Sequence, residues 1–261
     1  MAKLVDSHCH LAMKEFEEDL PEVLARSSGA GVERILVVGS DEQGSLEAFR
    51  LVRDRNDGML FAAVGIHPHD SAMASSGIPG TIEELSVCPE VVAVGETGLD
   101  YFYDHSPRDV QKRVFAFHVG LARDTGKPLV VHVRDAYGDA LEILRREKAS
   151  ECGGVIHCFS GSREDALAAI DLGFYISFAG PVTWPKNGSL REIAAALPME
   201  SILCETDAPF LSPQPKRGRR NEPAHVAWVY EVLAQARGIS VEKCAGEIWK
   251  NSSRLFRWGV L

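Results

Sequence analysis

Apolar runs recur eight times along the 261 residues, at 4–8, 34–38, 60–66, 91–95, 129–133, 154–158, 173–178 and 202–205. Several are rich in Val and Ile and do not alternate cleanly, which is the pattern of parallel strands buried on both faces. Between them lie helical patterns at 20–28, 45–55, 109–125, 137–148, 162–172 and 189–197, with two more at 225–237 and 240–255. Segment 109–125 has the clearest stripe: Val110, Val114, Phe117 and Leu121, with Gly126 as a natural stop. Ser162 and Asp165 have the spacing of a helix cap, and Gly173 closes that helix. No Ser/Gly linker divides the chain, so a single domain over 1–261 is expected. The expected fold is α/β, a (β/α)8 TIM barrel with a C-terminal helical extension. A doubly wound parallel sheet is the alternative.

Chemistry-bearing residues sit where these runs stop. His8 and His10 close the first, Glu96 the fourth, His132 the fifth, His157 the sixth and Asp207 the eighth. A closed barrel brings such ends to one rim, whereas a doubly wound sheet serves its ligand from few strands. His8 and His10 are two apart, so on a strand both imidazoles project to one side. Asp6 extends that face and would contact a ligand or hydrogen-bond a histidine. A carboxylate has two oxygens and can bridge two cations, which makes Glu96 the candidate bridge. Asp207 would complete one metal position and orient or deprotonate a water; Glu205 is a weaker candidate. Singly, each residue also reads as a core histidine or a solvated acid. Six at equivalent places favour a metal centre. His67 is expected to contact substrate or phosphate, with His69 peripheral and His118 and His225 structural.

A net charge of −9 argues against a broad basic face that coats duplex nucleic acid. It leaves room for a nuclease whose cations neutralise phosphate locally. Lys216, Arg217, Arg219 and Arg220 form a basic cluster in the proline-rich stretch after Asp207. With Arg134 and Arg163 they are expected to guide phosphate, although a charge run is usually a solvated face. Tyr101, Phe102, Tyr103 and Trp184 either stack on bases or pack their own loops. The six cysteines form no CxxC pair and are expected to be reduced. No secretory signal or membrane-length apolar stretch is evident. A cytoplasmic location is expected, with no membrane association and no obligate protein partner.

These residues lie in an ordered set of phrases: DSHCHL (6–11), VGIHPH (64–69), GETGLDYF (95–102), VHVRDA (131–136), HCFSG (157–161), YISFAG (175–180), ETDAPFLSP (205–213), RGRRNEP (217–223) and NSSRLF (251–256). In that order they resemble the TatD family of metal-dependent hydrolases, amidohydrolase-like barrels often described as deoxyribonucleases. The resemblance implies one metal position at His8, His10, Glu96 and Asp207, and a second at His132 and His157 with Glu96 shared. It implies two divalent cations. The N/O donor set suits Zn, Mn, Fe or Co better than Mg, yet magnesium is often named for the family's nucleases. The expected reaction is phosphodiester hydrolysis of DNA, with a lean towards 3′-to-5′ exonuclease action. Asp207 is expected to orient water and accept its proton, and Glu96 to fix the metal separation. A small-molecule amidohydrolase or phosphoesterase is the main alternative, and a noncatalytic binding protein a third.

Overall fold

A computed structural model describes residues 2–258. Eight strands run in sequence order: β1 (Leu4–Cys9), β2 (Val32–Val38), β3 (Leu60–Val64), β4 (Val91–Asp100), β5 (Leu129–Arg134), β6 (Gly154–Ile156), β7 (Phe174–Phe178) and β8 (Ile202–Cys204). Each pairs in parallel with the next. The helices are α1 (Leu20–Gly29), α2 (Glu42–Arg55), α3 (Gly80–Ser86), α4 (Arg108–Thr125), α5 (Tyr137–Arg146), α6 (Arg163–Asp171), α7 (Gly188–Ala196), α8 (Val226–Arg237) and α9 (Val241–Phe256). This is the (β/α)8 barrel read from the sequence. Helix α8 completes the eighth βα unit, and α9 is the C-terminal addition, packed on β1 and β8.

Three local features differ from the expectation. Helix α4 buries Gln111, Val114, Phe115, His118, Val119 and Ala122, so of the expected stripe only Val114 is fully buried and Phe117 is exposed. Helix α3 was not anticipated; at seven residues it is too short for an apolar period to register. Glu96 does not end β4, which runs on to Asp100. Val94 pairs with Leu129 and Thr97 with Val131, so β4 advances three residues where β5 advances two. The extra residue bends the strand at Glu96. Gly95 and Gly98 permit this: both have positive φ, and a Cβ on Gly98 would lie 2.0 Å from the His132 carbonyl oxygen. The cap at the start of α6 is as expected, with Ser162 and Asp165 each accepting the other's backbone N–H.

The barrel closes between β1 and the segment just past β8. His10 N–H donates to Ala208 O at 2.7 Å, and Asp207 N–H donates to His8 O at 2.9 Å. Lower in the seam, the buried Tyr230 hydroxyl of α8 substitutes for a strand neighbour. It accepts Val5 N–H and donates to Val5 O, both at 3.1 Å. Tyr230→Phe would leave both backbone groups unpaired, and a loss of about 1–3 kcal/mol is expected. Urea denaturation checks this; an unchanged midpoint would mean that the hydroxyl does not hold the seam.

Candidate metal centre

The strand ends converge on Glu96, and its two oxygens face different partners. Oε2 lies 3.3 Å from His8 Nε2 and 3.6 Å from His10 Nε2. Oε1 lies 2.8 Å from His157 Nε2, 3.3 Å from His132 Nδ1 and 3.4 Å from His67 Nε2. Asp207 Oδ1 joins the first side, 3.4 Å from His10 Nε2 and 3.7 Å from His8 Nε2. Among the described residues three overlapping groups could each hold an ion: His8–His10–Asp207, His8–Glu96–His157 and His67–Glu96–His132. His8, His10, Glu96 and His157 are buried, while Asp207 and, slightly more, His132 are partly open.

The outward ring nitrogens decide what faces inward. His10 Nδ1 meets Val38 O at 3.0 Å, and His132 Nε2 meets Asp100 Oδ2 at 3.1 Å. His157 Nδ1 lies 3.2 Å from Glu205 Oε1, which also accepts Cys158 N–H. A carbonyl or carboxylate only accepts, so each outward nitrogen carries the proton and the inward one presents a lone pair. His8 Nε2 and His10 Nε2 are 3.2 Å apart, and His132 Nδ1 and His157 Nε2 are 3.3 Å apart. Ring nitrogens crowded this closely around two carboxylates fit cations. Protons compete for the same space. Burial opposes charge on His157, but Glu96 and Glu205 outweigh it and lift its pKa well above the ordinary value. Burial likewise pushes Glu96 up, but His157, His67 and His8 bring it well below the usual carboxylate range.

His67 differs from the rest. Its Nδ1 accepts His69 N–H at 3.2 Å, so in the neutral ring the inward Nε2 carries hydrogen. Burial depresses its pKa well below normal, so the ring is neutral at neutral pH. It points a donor, not a lone pair, towards the centre.

Asp6 neither faces the centre nor bonds an imidazole. It accepts the N–H groups of His8 and Thr206 and the Thr206 hydroxyl, which fastens β1 to the segment bearing Asp207. Glu205 stands behind His157. His118 is structural: it accepts Ile66 N–H and bonds Val114 O. His225 bonds Asn221 Oδ1. All six cysteines are free.

The basic residues divide. Arg220 is committed to Asp19 through both terminal nitrogens, at 2.8 and 2.7 Å, and braces the loop rather than waiting for phosphate. Arg217 lies over Trp184, whose Nε1–H is tied to Ser212 O, and Lys216 lies over Trp228. Arg163 and Arg219 are exposed. The Arg134 guanidinium sits 4.0 Å from the Phe102 ring and 4.9 Å from Tyr103. Phe102 and Tyr103 are exposed, whereas Tyr101 is held by Asp139. Three contributors escaped the sequence reading. Asp100 backs His132. Buried Asn221 donates to Thr206 O and Phe210 O, bracketing the loop after Asp207. Phe210 is half exposed with its ring edge-on to His10. Only an exposed aromatic directly after the Asp207 segment could have signalled it.

Among the described residues no helix is long and apolar enough to cross a membrane. The family model of TatD related DNases matches residues 5–257. The metal-dependent hydrolase YabD of Bacillus subtilis is 41% identical over 254 residues, covering 97% of this chain and 99% of that protein. The 3'-5' ssDNA/RNA exonuclease TatD of Escherichia coli is 35% identical over 258 residues, covering 97% and 98%. The crystal structure of YJJV, a TatD homologue from Escherichia coli, superposes with a TM-score of 0.87 at 30% identity, covering 97% and 98%. The barrel, the histidine–carboxylate centre and these matches assign the chain to the TatD-related DNases, as a hydrolase of that family.

Proposed function

We propose that this protein is a divalent-metal-dependent 3′-to-5′ exonuclease acting on single-stranded DNA from a binuclear centre, in one domain. The carrying observation is the divided allegiance of Glu96, with Oε2 towards His8 and His10 and Oε1 towards His132 and His157. His8, His10, Glu96 and Asp207 would hold one cation; Glu96, His132 and His157 would hold the other. The mixed nitrogen and oxygen donors favour Zn, Mn, Fe or Co over Mg. When bound, such a pair supplies Lewis acidity, acidifying the attacking water and offsetting charge that builds on a phosphoryl oxygen.

The chain's own groups do the remaining work. Asp207 is held below the usual carboxylate range: burial pushes it up, but the imidazoles of His10, His8 and His157 beside it outweigh that. It is therefore ionised at neutral pH and ready to orient the attacking water and accept its proton. His67 donates from Nε2 to a nonbridging phosphate oxygen. Arg134, Arg163, Lys216, Arg217 and Arg219 guide the backbone, while Phe102, Tyr103 and Phe210 offer faces to terminal bases. The relative named a 3'-5' ssDNA/RNA exonuclease supports both substrate and polarity.

The test compares 5′-labelled single-stranded DNA, duplex DNA and RNA with metal-replete protein, and repeats the assay with His157→Ala. Stepwise shortening of the labelled single strand, lost in the variant, is expected. Turnover confined to small phosphate esters or amides would replace this reading with the small-molecule hydrolase. Activity that survives His157→Ala would reveal a contaminating nuclease.

A further inference from the structure

Asp100 ends β4 and takes no part in the reaction described above. Its carboxylate is almost wholly buried and accepts on both oxygens. Oδ1 takes Phe102 N–H at 3.0 Å and Tyr103 N–H at 2.9 Å. Oδ2 lies 3.1 Å from His132 Nε2 and 3.0 Å from His69 Nε2. The Asp100 backbone is clamped to α4, because Gln111 accepts its N–H at 2.8 Å and donates to its carbonyl at 3.1 Å. With the main chain fixed, the carboxylate cannot swing towards the imidazoles without leaving the two amides. On the far side of those amides, the rings of Phe102 and Tyr103 stand in solvent beneath Arg134.

We propose that Asp100 is a positioning residue that couples the His132 side of the centre to the loop 101–105. A cation on His132 Nδ1 would draw electron density from the ring. Nε2–H then becomes a stronger donor, and its bond to Asp100 tightens. The fixed carboxylate holds the Phe102 and Tyr103 amides, and the ordered loop presents two rings and Arg134 to the substrate. Linkage requires the reverse as well: a loop held in place raises affinity at His132 by the same factor. The coupling rests on the metal position proposed at His132, and the presentation to substrate rests on the nuclease reading as well.

Amide hydrogen exchange over 101–105 tests the coupling in the full chain without nucleic acid, chelator-treated and then loaded with Zn2+ or Mn2+. Loading is expected to slow exchange at Phe102 and Tyr103 about tenfold. Asp100→Asn keeps one oxygen for the amides but sets an NH2 group against the imidazoles. Calorimetric titration of this variant with Zn2+ should show one of two equivalents weakened by about 10- to 100-fold and the other unchanged. Its exchange should no longer respond to metal. The proposal is overturned if wild-type exchange at these amides ignores metal, or if Asp100→Asn binds both equivalents with wild-type affinity. The wild-type arm decides even if the variant fails to fold. A failed nuclease reading would show separately, as labelled strands left intact.

Discussion

Asp207→Asn is expected to lower kcat by about 10²- to 10⁴-fold with both cations bound, the range that a positioned proton acceptor supplies. Asparagine keeps the shape of the side chain and an oxygen that faces His10, but it cannot take a proton. The backbone around Asp207 does not depend on the carboxylate. Its N–H donates to His8 O, its carbonyl accepts Phe210 N–H, and Asn221 brackets the loop from the other side. The variant should therefore fold with a nearly unchanged melting temperature. Because the imidazoles of His10, His8 and His157 outweigh burial and hold the Asp207 carboxyl below its usual range, it stays ionised across the neutral range. The defect should then be about equally large at pH 6 and pH 8. Bound metal must be measured alongside turnover, since Asp207 is also a candidate ligand. Near-wild-type kcat in a variant carrying both cations would remove Asp207 from the proton transfer.

The gathering of His8, His10, Glu96, His132, His157 and Asp207 was legible in the sequence, because strand ends of a parallel barrel share one rim whatever their distance along the chain. Their allotment to the two oxygens of Glu96 was expected from chemistry and family resemblance. The bulge that turns Glu96 inward was not expected, because nothing local distinguishes an extra residue in a strand from a strand that stops. Residues that act on other residues were harder still. Asp100 reads as one more acid in a loop until His132 Nε2 is seen 3.1 Å away, 32 positions on in the chain. Asp6 reads as a ligand because alternation puts it on the histidine face, yet Thr206 claims it from the opposite end of the sequence. Arg220 shared a charge run with Lys216, Arg217 and Arg219, and only the placement of Asp19 separates it from them. Periodicity reports which face a side chain occupies. It does not report the partner waiting there.

Glu96→Gln tests the proposed bridge between the two sides of the centre. The amide is nearly isosteric, so the bent strand, with Gly95 and Gly98 against the backbone of β5, has no reason to rearrange. What changes is charge and lone pairs. One terminus becomes an NH2 group, which must face either the His8–His10 side or the His132–His157 side, where inward nitrogens already present lone pairs. The amide hydrogens can bond those nitrogens in place of a cation, so the side they face loses its metal position. A fall from two bound divalent ions per chain to one is expected, measured by elemental analysis after dialysis. Turnover should drop by about a thousandfold or more, since the lost Lewis acidity amounts to several kcal/mol of transition-state stabilisation. Which ion remains is readable. The side still facing the oxygen should stay sensitive to its own histidines, so a second substitution at His10 or at His132 removes the remaining ion in one case and changes little in the other. Glu96→Gln protein that retains two ions and wild-type turnover would mean that Glu96 does not bridge, and that the two sides of the cluster act as independent sites.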